Sequence, residues 1–152
     1  MINIRQELEV AKRASEIAAA LLIDNKDNIN KILSNEGRDV KLKADLESEK
    51  VIKEYLLANS NFPILAEESG ANQDLGNSFW VVDPLDGTSN YSRDFPMCCI
   101  SIALIHENEI TLGVINDFNR GSLYEGSLES RAKLNGEDIF VSSIPVSYTH
   151  LR

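Results

Sequence analysis

The chain predicts an α+β fold in which two N-terminal helices pack on a largely antiparallel sheet. Apolar residues recur at helical steps in the first part of the chain, and after residue 76 the period becomes that of strands. Turn signals at Glu107-Asn108-Glu109, Asn119-Arg120-Gly121 and Asn135-Gly136 then separate successive apolar runs, as in a meander of hairpins. Helices first and strands later make a layer in which the helices cover one face of the sheet. At 152 residues, one core burying roughly 70% of the unfolded surface is expected, so one domain is the natural count.

The first helix rests on Ile4, Leu8, Ala11, Ser15, Ala18 and Leu22, which fall at three- and four-residue steps with charges between them. The polar stretch from Asn25 to Arg38 holds Ile29, Ile32 and Leu33 at helical spacing and reads as a helical extension or short helix before Gly37. In the next helix Asp45 serves as an N-cap or first-turn acid, and Leu46, Val51, Ile52, Tyr55 and Leu56 form the apolar face. Asn59 to Pro63 ends it. Phe62 to Ala66 and Phe79 to Val82 are short apolar strands, followed by strands over 98–106, 110–116 and 122–125.

Composition narrows the function. A net charge of −9 repels polyanions, so nucleic-acid binding is not expected. The same field repels a phosphate ester unless a bound cation inverts the local sign. Cys98 and Cys99 are adjacent in a strand and point to opposite faces, which suits packing in a reducing cytoplasm and neither a disulfide nor a metal pair. Arg5, Glu7 and Glu9 interrupt any apolar leader, and no run is long enough for a membrane span. His106 beside a hairpin turn reads as a surface residue.

Chemistry concentrates where the strand ending in Val82 meets Asp83-Pro84-Leu85-Asp86-Gly87-Thr88. A carboxylate at a buried strand end is costly unless a cation or several donors meet it. Pro84 holds Asp83 extended, so that Asp83 and Asp86 can aim at one point and the Leu85 carbonyl can join them. An all-oxygen set favours a hard ion such as Mg²⁺. Gly87 permits close backbone approach, and a helix starting within 87–92 would offer free N–H groups to a phosphate. These letters are also ordinary turn punctuation. A second acidic element separates the two readings: the strand ending at Ala66 runs directly into Glu67-Glu68-Ser69-Gly70, so two strands deliver carboxylates at their C-terminal ends.

Ala66-Glu67-Glu68-Ser69, with Trp80-Val81-Val82-Asp83-Pro84-Leu85-Asp86-Gly87-Thr88-Ser89-Asn90-Tyr91-Ser92-Arg93 after it, resembles the paired signatures of the inositol monophosphatase family, Mg²⁺-dependent, lithium-sensitive sugar-phosphate phosphatases. The likeness extends to about Ser143 through Gly113-Val114-Ile115, Leu123-Tyr124-Glu125-Gly126 and Leu134-Asn135-Gly136-Glu137. It implies the first part of an αβαβα layered sandwich, with Glu67, Asp83, the Leu85 carbonyl and Asp86 as metal ligands for two or three Mg²⁺ ions in the complete site. Asp86, Gly87 and Thr88 would meet the substrate, an inositol monophosphate or similar sugar phosphate. Thr88, paired with Asp45 or helped by Glu67 or Glu68, would position the attacking water without a covalent intermediate. The family's Thr-x-x-Asp element has Leu42 where Thr is usual, with Asp45 in place. Its second half, with a Trp-Asp motif supplying a further metal-binding Asp, has no counterpart here.

Residues 1–143 are therefore read as the N-terminal part of such a domain, and 144–152 as a non-native or disordered tail. The chain as written is expected to be truncated and weakly active or inactive, and the complete protein to be a cytoplasmic homodimer with no membrane association. Bisphosphate nucleotidase and fructose-1,6-bisphosphatase activities in the same family stay open, as does a non-catalytic metal-binding or regulatory role. Haloacid-dehalogenase-type phosphatases are disfavoured, because their nucleophilic Asp stands two residues before the second Asp, where this chain has Pro84.

Overall fold

The computed structural model describes residues 2–36 and 39–143. Helix α1 spans Ile4–Asp24 and a single turn, α2, spans Lys26–Ile29. A hairpin of β1 (Ile32–Glu36) and β2 (Asp39–Leu42) leads into α3 (Lys43–Asn59). Then come β3 (Ile64–Ala66), β4 (Gly70–Ala71), β5 (Phe79–Asp86) and the short helix α4 (Thr88–Ser92). The meander follows as β6 (Cys99–His106), β7 (Glu109–Asp117), β8 (Ser122–Ser127), β9 (Ser130–Leu134) and β10 (Glu137–Asp138).

Among the described residues the large sheet has the order β10-β9-β8-β7-β6-β5-β3-β4. Every neighbouring pair is antiparallel except β3 and β5, which run parallel. The expected α+β layering is what the structure shows. Helix α1 lies on β6 and β7, and α3 on β5. Strand alternation sends Trp80 and Val82 of β5, Ile100, Ile102 and Leu104 of β6, and Leu112 and Val114 of β7 into that interface, all essentially inaccessible. From α1, Leu8, Ala11, Ser15, Ala18 and Leu22 meet them, and Ser15 Oγ accepts a hydrogen bond from Asn116 Nδ2 at 3.3 Å, so the buried polar pair is satisfied. Each fully buried Leu or Ile side chain here contributes about 1.5–3 kcal/mol. The opposite face of the sheet carries Ala103, Gly113, Ile115, Tyr124 and Gly126 around an open depression of about 330 Å³. No helix is long and apolar enough to cross a membrane among the described residues.

Two local expectations are corrected. The stretch after Asn25 holds a short helix, one of its two expected forms, but only over Lys26–Ile29, and Ile32 starts a strand instead of continuing it. Of the apolar trio at helical spacing only Ile29 is buried, while Ile32 and Leu33 stay largely exposed, so no core rewarded a longer helix. Gly37 and Arg38 lie outside the described residues, as does the expected tail at 144–152. In α3 the buried stripe is Asp45, Ser48, Glu49, Ile52 and Leu56, with Leu46 exposed. The helix turns a polar half-face inward near its start because that end faces the acidic strand ends rather than the apolar core.

Candidate metal and phosphate site

Parallel pairing of β3 with β5 brings the two acidic segments together. Ala66 is in register with Val82, and the Glu67 N–H donates to the Val82 carbonyl at 3.1 Å, so Glu67 comes beside Asp83. Their carboxyl groups hydrogen-bond each other. Strand β5 runs on to Asp86, past the end expected at Val82, by means of a bulge. Asp83 pairs with Ser101 but Asp86 with Cys99, so three steps on β5 oppose two on β6. In a regular strand residues three apart face opposite sides; the extra residue at Pro84-Leu85 resets the alternation and lets Asp83 and Asp86 share a side. Pro84 suits a bulge because the ladder there needs no N–H. The Asp83 Oδ1 accepts the Leu85 N–H at 3.2 Å, and the Pro84 carbonyl accepts from Ser48 Oγ of α3 at 2.8 Å.

Beyond the bulge Gly87 adopts φ +88, and a Cβ built there would lie 2.6 Å from the Met97 carbonyl oxygen, so glycine is required. This turn opens α4. The N–H groups of Asn90 and Tyr91 both return to the Gly87 carbonyl, leaving those of Thr88 and Ser89 without an intrahelical partner. Three contacts seat the helix: Tyr91 Oη donates to the Leu22 carbonyl at 2.7 Å, Asn30 Nδ2 donates to the Ser92 carbonyl at 3.3 Å, and Lys26 pairs with Asp94 at 2.7 Å.

The Thr88 hydroxyl lies 3.0 Å from Asp45 Oδ1 and 3.1 Å from the Leu85 carbonyl, so its one proton is shared between two acceptors. The second oxygen of Asp45 accepts the Leu42 N–H at 2.6 Å. That bond needs only the backbone of residue 42, which explains why Leu serves where Thr was expected. Glu68 turns its N–H to Glu49 Oε2 of α3 at 2.8 Å, and its charge is felt at Asp45, Glu67 and Asp83.

The electrostatics follow from burial first and from crowding second. Burial raises Asp45 to about 6, against the opposing pull of the Leu42 N–H and the Thr88 hydroxyl. Glu67 rises to about 7 through desolvation, the charge of Asp83 and the hydrogen bond between them. Asp83 is raised by burial and by the charges of Asp86 and Glu68. Burial and the Asp86 carboxylate push the Cys99 thiol up to about 11, so it is an inert neighbour.

Every donor at this point is oxygen, and the neighbouring carboxylates make Glu67 and Asp83 harder to ionise, the condition a hard divalent cation relieves. Among the described residues no three His, Cys, Asp or Glu side chains are drawn together as they would be around a metal ion. Glu67 and Asp83 stand instead as a close carboxyl pair, with Asp86 brought to the side of Asp83 by the bulge. In donor chemistry the expected set fits Mg²⁺. Asp86 is exposed and borders a depression of about 250 Å³ lined also by Met97, Cys99, Asp117, Arg120 and Tyr124.

All the acidic and hydroxyl residues singled out from the sequence thus converge on one end of the sheet. Missed were Ser48, Glu49 and Tyr91, which hold the site loops from α3 and α4. The first two were detectable, since they continue from Asp45 at helical spacing toward Ile52 and Leu56. His106 is half-buried, bonded to Ser78 at 3.0 Å and edge-on to Phe62, with Glu107 4.0 Å away, at the end of β6 opposite to the one beside Asp86. Cys98 is buried and Cys99 partly so, both with free thiols.

The inositol monophosphatase family matches over residues 3–151. An inositol-1-monophosphatase of Synechocystis is 34% identical over 145 residues, covering 93% of this chain and 50% of its own. A fructose-1,6-bisphosphatase/inositol-1-monophosphatase of Aquifex aeolicus is 34% identical, covering 93% of this chain and 54% of its own. The solved inositol monophosphatase of Anabaena superposes with a TM-score of 0.78 at 31% identity, over 94% of this chain and 52% of that one. The chain spans about half the length of the curated relatives it matches.

Proposed function

The chain belongs to the inositol monophosphatase family, and on that premise we propose that its site serves Mg²⁺-dependent hydrolysis of a phosphate monoester, an inositol monophosphate or a similar small sugar phosphate. The observation that carries this reading is the juxtaposition of Glu67 with Asp83 across the parallel β3/β5 pair, with Asp86 brought to the same side by the bulge. Glu67, Asp83, the Leu85 carbonyl and Asp86 are the residues that would hold two or three Mg²⁺ ions. When bound, Mg²⁺ supplies positive charge against the phosphoryl group and makes water a nucleophile near neutral pH.

The rest falls to this chain's own groups. Thr88 has its proton committed to Asp45 or the Leu85 carbonyl, so its lone pairs can accept a hydrogen bond from a water. Asp45, raised to about 6, can receive the proton that Thr88 passes on, and the Glu68 carboxylate is the other base within the same field. The turn at Gly87 presents the Thr88 and Ser89 N–H groups to phosphate oxygens, which positions the ester for displacement by water and requires no covalent intermediate. The complete protein is read as a cytoplasmic homodimer acting on a small phosphorylated sugar or cyclitol. The Aquifex relative's name favours fructose-1,6-bisphosphate as a second substrate to test.

The experiment is phosphate release from inositol monophosphate, fructose-1,6-bisphosphate and a nucleoside 3',5'-bisphosphate, with Mg²⁺ and with chelator. It compares the 152-residue chain with a chimera continued by the second half of the Synechocystis relative, and Mn²⁺ titration of the chain accompanies it. Chelator-sensitive release by the chimera is expected, with the chain alone slower by about 10²-fold or more, the effect of a few kcal/mol of lost transition-state stabilisation. Chelator-insensitive release, or a chain that binds no Mn²⁺, would overturn the reading. Binding without release by either protein would favour a non-catalytic metal-binding role.

A further inference from the structure

One face of α3 reaches all the site's loops. Asp45 meets Thr88, Ser48 meets the Pro84 carbonyl, Glu49 meets the Glu68 N–H and Lys53 Nζ donates to Ser69 Oγ at 2.6 Å. These four positions follow helical spacing, so a single rigid element sets the separations among the two acidic turns and the Thr88 turn. Glu49 is the member with no role in the chemistry described above, and it is only 4% exposed.

We infer that Glu49 is a positioning residue that fixes the Glu67-Glu68 turn against the Asp83-Asp86 bulge and thereby sets the geometry with which the carboxylates meet a divalent cation. The inference rests on the metal-site reading above. Its Oε2 accepts the Glu68 N–H at 2.8 Å, while Oε1 lies 3.6 Å from Lys53 Nζ. An (i, i+4) ion pair is the plain account of such a glutamate. It does not explain why the carboxyl group is buried and turned to the Glu68 N–H, where an Ala or Leu would bury no polar group. The two oxygens of one carboxylate explain it: one takes the turn's N–H while the other holds Lys53, which in turn holds Ser69, so the turn is gripped at consecutive residues. On its other side the turn is held by the Glu67 N–H on the Val82 carbonyl. Gly70, at φ +69, follows directly and pairs with Ala66 across the β3/β4 hairpin, so that pairing closes the turn while α3 fixes where it lies. Loss of the Glu49 acceptor takes away the partner that the Glu68 N–H meets on α3, at the point where small displacements alter ligation.

The test compares wild type, Glu49→Gln and Glu49→Leu. Both variants remove the charge, and only Leu removes the acceptor, so their difference reads the hydrogen bond. Amide hydrogen exchange at Glu68 and Mn²⁺ affinity by calorimetry are measured under conditions where urea titration shows each protein fully folded. In wild type the Glu68 amide is expected to be protected like those of β5; exchange as fast as at an open loop overturns the inference without any variant, and so covers a Leu variant that fails to fold. Glu49→Gln is expected to keep that protection. Glu49→Leu is expected to lose it and to bind Mn²⁺ about tenfold more weakly than Glu49→Gln, the lower end of the effect of removing a ligand's supporting partner. Equal affinities in the two variants would overturn the positioning role even if protection is lost. A wild type that binds no Mn²⁺ would sink the metal reading instead, and the exchange measurement would still judge the grip on the turn.

Discussion

Replacing Gly87 with Ala puts two separable penalties on the turn that joins β5 to α4. The residue sits at φ +88, ψ 35, in left-handed space, where an L side chain costs about 1–2 kcal/mol. The added Cβ would also stand 2.6 Å from the Met97 carbonyl oxygen and 3.2 Å from Cys98 Cα, both backbone atoms that cannot swing aside. Forcing such contacts costs roughly 1–3 kcal/mol more. The sum, about 2–5 kcal/mol, is a large part of the 5–15 kcal/mol that holds a typical domain. With a urea slope of about 2 kcal/mol per M, the midpoint should fall by roughly 1–2.5 M. Gly121→Ala supplies the control, because Gly121 is also left-handed, at φ +62, but a Cβ there meets nothing within 4 Å. It should lose only the conformational part. Urea titrations of the two variants beside wild type decide the matter. Equal losses would show that the approach of Gly87 to Met97 is not real, and an unchanged midpoint for Gly87→Ala would refute the left-handed turn as well.

Asp86→Asn subtracts a charge from the carboxylate group at constant shape, so Mg²⁺ or Mn²⁺ affinity should fall while metal-free stability holds or rises; calorimetric titration giving wild-type affinity would remove Asp86 from the ligands. Thr88→Val in the chimeric enzyme should cut turnover by about 10²-fold or more with metal affinity near wild type. It should also cost about 1–3 kcal/mol in urea, because Asp45 keeps its burial and loses a donor; undiminished kcat would show that water is positioned elsewhere. The metal-free chain should lose stability as pH rises. Asp45 and Glu67 are both raised above their ordinary values, so the folded state holds their protons more tightly, the stabilisation is complete below the unfolded values near 4, and it drains away as pH passes about 6 for Asp45 and about 7 for Glu67. Urea midpoints at pH 5 and pH 8 measure this; Asp45→Asn should flatten the lower part of the slope, and a midpoint that climbs with pH would contradict it.

The α1 stripe, the meander and the strands that end in acids were all legible, because a 3.6-residue or two-residue period repeats over enough positions to be unambiguous. The short stretch around Ile32 and Leu33 was not: a few apolar residues fit either period, and exposure decided between them. Leu46 was misread for the related reason that the face of α3 that turns inward depends on what lies beneath it. At its first turns that neighbour is the Thr88 hydroxyl and the backbone of the acidic turns, at Pro84 and Glu68, and not the apolar core.

Local chemistry written in the sequence determined which groups could act: the carboxylates of Glu67, Asp83 and Asp86, the hydroxyl of Thr88, the Asp45 beside Leu42 and the glycine at 87. Their identities and short spacings are properties of neighbouring residues, and Pro84 and Gly87 restrict the backbone whatever surrounds them. Only the tertiary structure decided how these groups meet. The parallel register of β3 on β5 seats Glu67 beside Asp83, the bulge against β6 returns Asp86 to the side of Asp83, and α3 reaches across with Asp45, Ser48 and Glu49 to hold the separate turns. Those contacts join residues 13 to 43 positions apart along the chain, and the partners of a strand or the inward face of a helix are set by the packing that buries the most apolar surface while pairing every buried polar group, a condition on the whole fold that no short window of sequence contains.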